Sequence, residues 1–192
     1  MTNPQQIIRG ADIAKHIEAL GQFRIDIFRE YPYLYAGDMK YERDYLTRYA
    51  QCEHSILLLE SDEHGIKAAC TAMPLSAETE EFRAPFSPAE QLLYFYIGEL
   101  MVRSDARGQR LGSQLLAQMI QLIEASDYQH LCLYTVERAP DHPARPDNYH
   151  APDTLWQKFG FRRNGKQVSF AWKDIGDVAS SHKPMNVWTR TP

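Results

Sequence analysis

Apolar residues recur along this chain in two rhythms, one helical and one alternating. Gln6 to Arg9 reads as a short first strand. Ile13, Ile17, Leu20, Phe23, Ile27 and Phe28 then fall at helical spacing behind Asp12, which is suited to cap a helix running to about Phe28. Pro32 and Gly37 break regular structure, and a second helix is expected over Met39 to Tyr49. Ser55 to Glu60 and Ile66 to Met73 read as hairpin strands around the turn-rich Ser61-Asp62-Glu63-His64-Gly65. Pro74 to Glu90 reads as a loop with one helical turn.

Leu92 to Arg103 reads as the central strand. Its apolar positions shift parity at Gly98: Leu93, Phe95 and Ile97 precede it, and Leu100 and Val102 follow. A β-bulge produces that shift, and so does a strand buried on both faces. A helix from Leu111 carries Leu115, Leu116, Met119, Ile120 and Ile123 on one face. Leu131 to Val136 is the next strand, and a proline-bearing polar loop spans Arg138 to His150. A short helix, Thr154 to Lys158, stops before Gly160. Val168 to Trp172 and Met185 to Trp188 close the chain as strands. This order predicts an α/β (α+β) fold with a mixed sheet in a single domain, 1–192.

Composition narrows the function classes. A formal net charge of -4 argues against nucleic acid as the main partner and leaves room for a cationic substrate. No apolar run approaches the roughly 20 residues of a membrane helix. The first residues carry no secretory pattern. Cys52, Cys70 and Cys132 fit no zinc or redox spacing and read as buried, reduced thiols, which suits the cytoplasm. His142, His150, Asp141 and Asp147 crowd one loop but match no metal-ligand spacing.

The most informative feature is Arg107-Gly108-Gln109-Arg110-Leu111-Gly112, between the central strand and the next helix. The first amides of a helix have no partner inside it, and its dipole favours an anion there. Glycine lets that backbone approach a phosphate closely. The Gly-Lys-Ser/Thr sequence of a nucleotide-binding P-loop is missing. Glu99 interrupts the apolar central strand beside Gly98 and is a candidate general base. A strand glutamate facing solvent or paired with an arginine is the plainer alternative.

These residues resemble the GNAT superfamily of acyl-CoA-dependent N-acyltransferases. That family carries Gln/Arg-x-x-Gly-x-Gly/Ala at this turn; Arg107 and Gly112 match its ends, and Arg110 stands where the middle glycine is usual. Its second motif, Leu-Tyr-x-x-x-Gly-Phe, appears here as Leu155-Trp156-Gln157-Lys158-Phe159-Gly160-Phe161. The resemblance implies a mostly antiparallel central sheet splayed at a bulge in the fourth strand and flanked by helices. It implies acetyl-CoA as acyl donor, with Leu100, Met101 and Val102 along the pantetheine arm. The amides of Gly108, Gln109, Arg110, Leu111, Gly112 and Ser113 would cradle the diphosphate, with Arg107 beginning the turn and Lys158 near the cofactor. Tyr31 and Tyr33, with Tyr35 and Asp38, would form one wall of the pocket for a small-molecule or peptide amine, or else close the core. A homodimer stays open.

Trp156 replaces the family's tyrosine, and indole cannot deliver a proton to a leaving thiolate. Tyr149 is the substitute candidate, with a packed loop aromatic as its plainer role. The loss of that tyrosine keeps a second class in view, a non-catalytic acyl-CoA-binding or regulatory module.

Overall fold

The computed structural model describes residues 5–191. Residues 1–4, part of the segment read for a targeting signal, lie outside the described residues. β1 (Gln6–Arg9) leads through a 3-10 turn, Gly10–His16, into α1 (Ile17–Phe28). The one helix expected behind Asp12 is therefore two pieces. Gly10 turns the chain at φ +48, and its amide donates to the Ser55 carbonyl at 3.2 Å. Asp12 lies inside the turn and takes Lys15 at 2.7 Å instead of capping.

α2 (Met39–Gln51) begins at Asp38, whose Oδ1 accepts from the amides of Lys40 and Tyr41 at 2.8 and 3.3 Å. β2 (Ile56–Asp62) and β3 (Gly65–Pro74) form the expected hairpin. The next stretch holds more order than one helical turn: a 3-10 turn at Leu75–Ala77, α3 (Glu80–Arg83) and α4 (Pro88–Gln91). Ser87 and Glu90 cap α4 reciprocally.

β4 (Tyr94–Val102), α5 (Leu111–Glu124), β5 (His130–Val136) and α6 (Asp153–Lys158) follow. β6 (Arg162–Trp172) and β7 (Ser181–Arg190) finish the chain. β6 starts six residues before the expected Val168, because its first part is exposed and carries no apolar rhythm. The strands form one seven-stranded sheet in the order β1-β2-β3-β4-β5-β7-β6. β4 and β5 run parallel, and every other neighbouring pair is antiparallel.

Both faces of the sheet are covered. Leu115, Met119, Trp156 and Phe161 pack on one face with Phe95 and Ile97. Leu20, Tyr45, Leu46 and Tyr49 pack on the other with Met101. Both explanations of the parity shift at Gly98 hold. Thr71 pairs with Glu99 and Ala72 with Ile97, so Gly98 is the extra residue of a bulge. Leu100 and Val102 thereby return to the face of Phe95 and Ile97. A Cβ on Gly98 would collide with the Tyr49 hydroxyl and lie 3.0 Å from Thr71 Oγ1, so the bulge needs glycine. Cys70 and Cys132 are buried, whereas Cys52 is partly exposed against expectation; all three are free thiols. Among the described residues no helix is long and apolar enough to cross a membrane.

Candidate active site

The bulge opens the sheet. β4 and β5 pair only at Tyr94–His130, Phe95–Leu131 and Tyr96–Cys132, and then part. Between Ile97–Val102 and Leu133–Arg138 lies a cleft of about 990 Å³, also lined by Tyr31, Tyr149, Trp156, Arg107 and Gly112. The Arg103 amide donates to the Lys67 carbonyl at 2.9 Å. Antiparallel bonding alternates along a strand, so Met101 turns its main-chain groups to Ala69 while Leu100 and Val102 present theirs to the cleft. Met101 still lines the cleft, but its main-chain groups are engaged with β3 and leave those of Leu100 and Val102 to face it. The Val102 carbonyl is already taken by Arg107 Nε at 3.1 Å.

At the mouth of the cleft α5 starts without a cap: no side chain accepts from its first turn. None of the amides from Gly108 through Ser113 donates a hydrogen bond among the described residues. Gly108 sits at φ +77 and Arg110 at φ +65, ψ 8. The position where the motif usually has glycine does require the left-handed region, which costs an arginine roughly 1–2 kcal/mol. A Cβ on Gly112 would meet Val102 Cγ2 at 3.6 Å, an ordinary contact, so only a larger side chain would crowd the space between α5 and β4. Free amides at an uncapped helix end beside an open cleft fit the diphosphate of an acyl-CoA.

The Arg107 guanidinium also reaches Glu30 Oε2 at 2.7 Å, across the cleft mouth. Gln109 and Arg110 are exposed, Leu111 is buried in the core, and Ser113 is half-buried. Lys158 is exposed and does not line the cleft. Arg163 lines the cleft instead and pairs with Asp153 at 2.7 Å.

Glu99 is buried, but it is not an isolated acid. Its Oε1 accepts from Arg24 and from the Tyr45 hydroxyl, the latter at 2.5 Å, and its Oε2 accepts from Thr71. Arg24 also donates to Glu42 Oε2 at 2.5 Å. A buried charge left unpaired is costly, which explains the dense pairing. Burial disfavours the Arg24 cation, but Glu99, Tyr45 and Glu42 outweigh it and hold its pKa well above the ordinary arginine range. Burial, then the Glu99 charge, pushes the Tyr45 phenol far up. Arg24 and Glu42 were missed in the sequence. The available signal was a charged residue on each apolar helix stripe: Arg24 follows Leu20 and Phe23, and Glu42 precedes Tyr45, Leu46 and Tyr49.

Tyr31 and Tyr33 both line the cleft, and Tyr33 packs on Phe28 with ring centroids 4.5 Å apart. Asp38 serves α2 as its cap and does not line the cleft. Tyr149 meets Tyr31 edge-on at 4.7 Å, and burial pushes its phenol above the usual range. Trp156 is buried with an unpartnered Nε1. Among the described residues, no three His, Cys, Asp or Glu side chains gather as a metal site.

The family model of the acetyltransferase (GNAT) family matches residues 25–161. No curated protein matches the chain in sequence. Solved structures share the fold at low identity. An N-acetyltransferase from Staphylococcus aureus Mu50 is 16% identical, with a TM-score of 0.61 over 98% of this chain and 99% of the other. A ribosomal-protein-alanine N-acetyltransferase from Brucella melitensis is 15% identical, with a TM-score of 0.59 over 97% and 99%. Arabidopsis thaliana NAA60, solved with acetyl-CoA, is 15% identical, with a TM-score of 0.60 over 100% and 98%. By the match across more than half its length, the chain belongs to the GNAT family of acetyltransferases.

Proposed function

We propose that the chain transfers an acetyl group from acetyl-CoA to a primary amine on a small molecule or peptide terminus, in a complex holding both substrates. The run of unpartnered amides from Gly108 to Ser113, at the mouth of the β4–β5 cleft, carries this reading. Those amides and the α5 dipole hold the diphosphate, and the cleft-facing groups of Leu100 with the amide of Val102 take the pantetheine arm. Acetyl-CoA supplies the acyl group as a thioester with a thiolate leaving group.

A carboxylate offers about four acceptor positions, and three on Glu99 are taken. The remaining position accepts an N–H of the acceptor and draws off its proton as the amine attacks. Tyr149, a phenol already protonated at neutral pH, lines the same cleft and returns a proton to the leaving thiolate. Direct attack is favoured over a covalent relay, because among the described residues no cysteine lines the cleft. Free, widely spaced thiols suit the cytosol.

The test is thiol release from acetyl-CoA with a library of amines. The proposal expects release with at least one amine. It also expects Glu99→Gln to slow transfer by roughly 100-fold or more with little change in acetyl-CoA affinity. Binding without turnover for any acceptor would favour a non-catalytic acyl-CoA-binding module, and no binding would end both readings.

A further inference from the structure

A second cavity of about 100 Å³ lies beside Glu99, on the face covered by α1 and α2. Gly98, Glu99, Phe28, Tyr33 and Tyr134 line both this cavity and the cleft, so the two meet at the bulge. Roughly 10–15 Å³ of such space holds one water, so the cavity accommodates on the order of seven non-hydrogen atoms.

Its wall is aromatic, with Tyr33, Tyr35, Tyr41, Phe170 and Trp172 among the lining residues. Its floor is anionic: two carboxylates, Glu42 and Glu99, share the single Arg24 guanidinium. Arg48 nearby is already matched by Glu78 at 2.8 Å, and Arg138 and Lys183, which stand over the Trp172 ring, share Asp174, so the positive excess lies behind that ring and the negative one at Glu42 and Glu99. Glu42 is 0% exposed, and while its Oε2 holds Arg24, its Oε1 has no partner. The Tyr35 hydroxyl in the same wall makes no well-formed hydrogen bond either; it lies beside Glu42, and burial, then the Glu42 charge, pushes its phenol up, so the two polar groups face each other across the unmet position. A buried carboxylate oxygen without a donor is costly to maintain, and a ligand that brings an N–H removes the cost. Tyrosine faces around a net negative floor attract a cation.

Glu42 stands one guanidinium beyond Glu99 and does not line the cleft. A group bound at Glu42 is therefore not the group acylated beside the thioester. We propose that the acceptor is a diamine in the broad sense: its reacting amine sits at Glu99, and a second, cationic nitrogen a few bonds away enters the aromatic cavity and donates to Glu42 Oε1. This names the substrate class of the reading above and depends on it for the position of the thioester.

Calorimetric titration of the folded protein with diaminobutane, butylamine, aminobutanol and aminobutanoate tests it without needing turnover. Diaminobutane should bind about tenfold or more tighter than the other three, the scale of one desolvated cation–π contact with a carboxylate behind it. Glu42→Gln should abolish that preference, and Tyr35→Phe, which keeps the ring and risks less of the fold, should reduce it. Equal affinity for butylamine or aminobutanol, or a preference for aminobutanoate, would overturn the proposal. So would a folded Glu42→Gln that keeps the full preference. Acetyl-CoA titrated into the same samples separates the failures: donor binding without the diamine preference sinks only the diamine, and no donor binding sinks the acetyltransferase reading.

Discussion

α2 and α5 begin in opposite ways. α2 starts on Asp38, in extended conformation, and that carboxylate takes the amides of Lys40 and Tyr41. α5 starts on Arg110, in the left-handed region, with no capping side chain and its first amides free. The same backbone dipole lies behind both ends. A short acidic side chain closes one against ligands. At the other, a left-handed turn between two glycine positions leaves donors facing outward. A helix end without a capping side chain keeps its first amides available to an anion.

The contrast breaks most severely at Gly112. Gly112→Trp would fill the gap between α5 and β4 and should weaken acetyl-CoA binding by roughly 100-fold or more, the scale of losing most contacts in a preformed pocket. Calorimetry checks it, and unchanged affinity would separate this helix end from the cofactor. Asp38→Ala should lower stability by about 1 kcal/mol, the usual cost of losing a cap, and leave acetyl-CoA affinity alone. A denaturant melt beside the same titration reads both; a cofactor effect would mean the two ends are coupled. The smallest effect is expected at Arg110. Arg110→Gly should raise stability by up to about 1 kcal/mol, since relief of the left-handed strain exceeds the added freedom of the unfolded chain. A lowered melting midpoint would show that the arginine side chain makes a stabilising contact.

Much of the open end was legible in the sequence. The turn from Arg107 to Gly112, the parity shift at Gly98 and the second motif at Leu155–Phe161 are local patterns with local causes. What lay hidden depends on pairing across distance. The main-chain groups of Met101 face β3 and not the cleft because Arg103 bonds to Lys67, a register no local pattern encodes. Arg24 and Glu42 lie on the buried stripes of α1 and α2, yet apolar periodicity counts a charged residue as solvated. An arginine partner for Glu99 was one expectation, but which arginine was hidden, because Arg24 is 75 residues away along the chain. The first part of β6 is exposed and shows no alternation to find. By contrast, Ser87 and Glu90 carried a readable capping signature for α4.

The most direct test of the free amides is to watch them. Nitrogen–proton correlation spectra of the protein titrated with acetyl-CoA should show the amides of Gly108 to Ser113 moving together and saturating at one stoichiometric equivalent. Lys40 and Tyr41, already bonded to Asp38, should stay still. Binding that leaves Gly108 to Ser113 unmoved would contradict the account at its root.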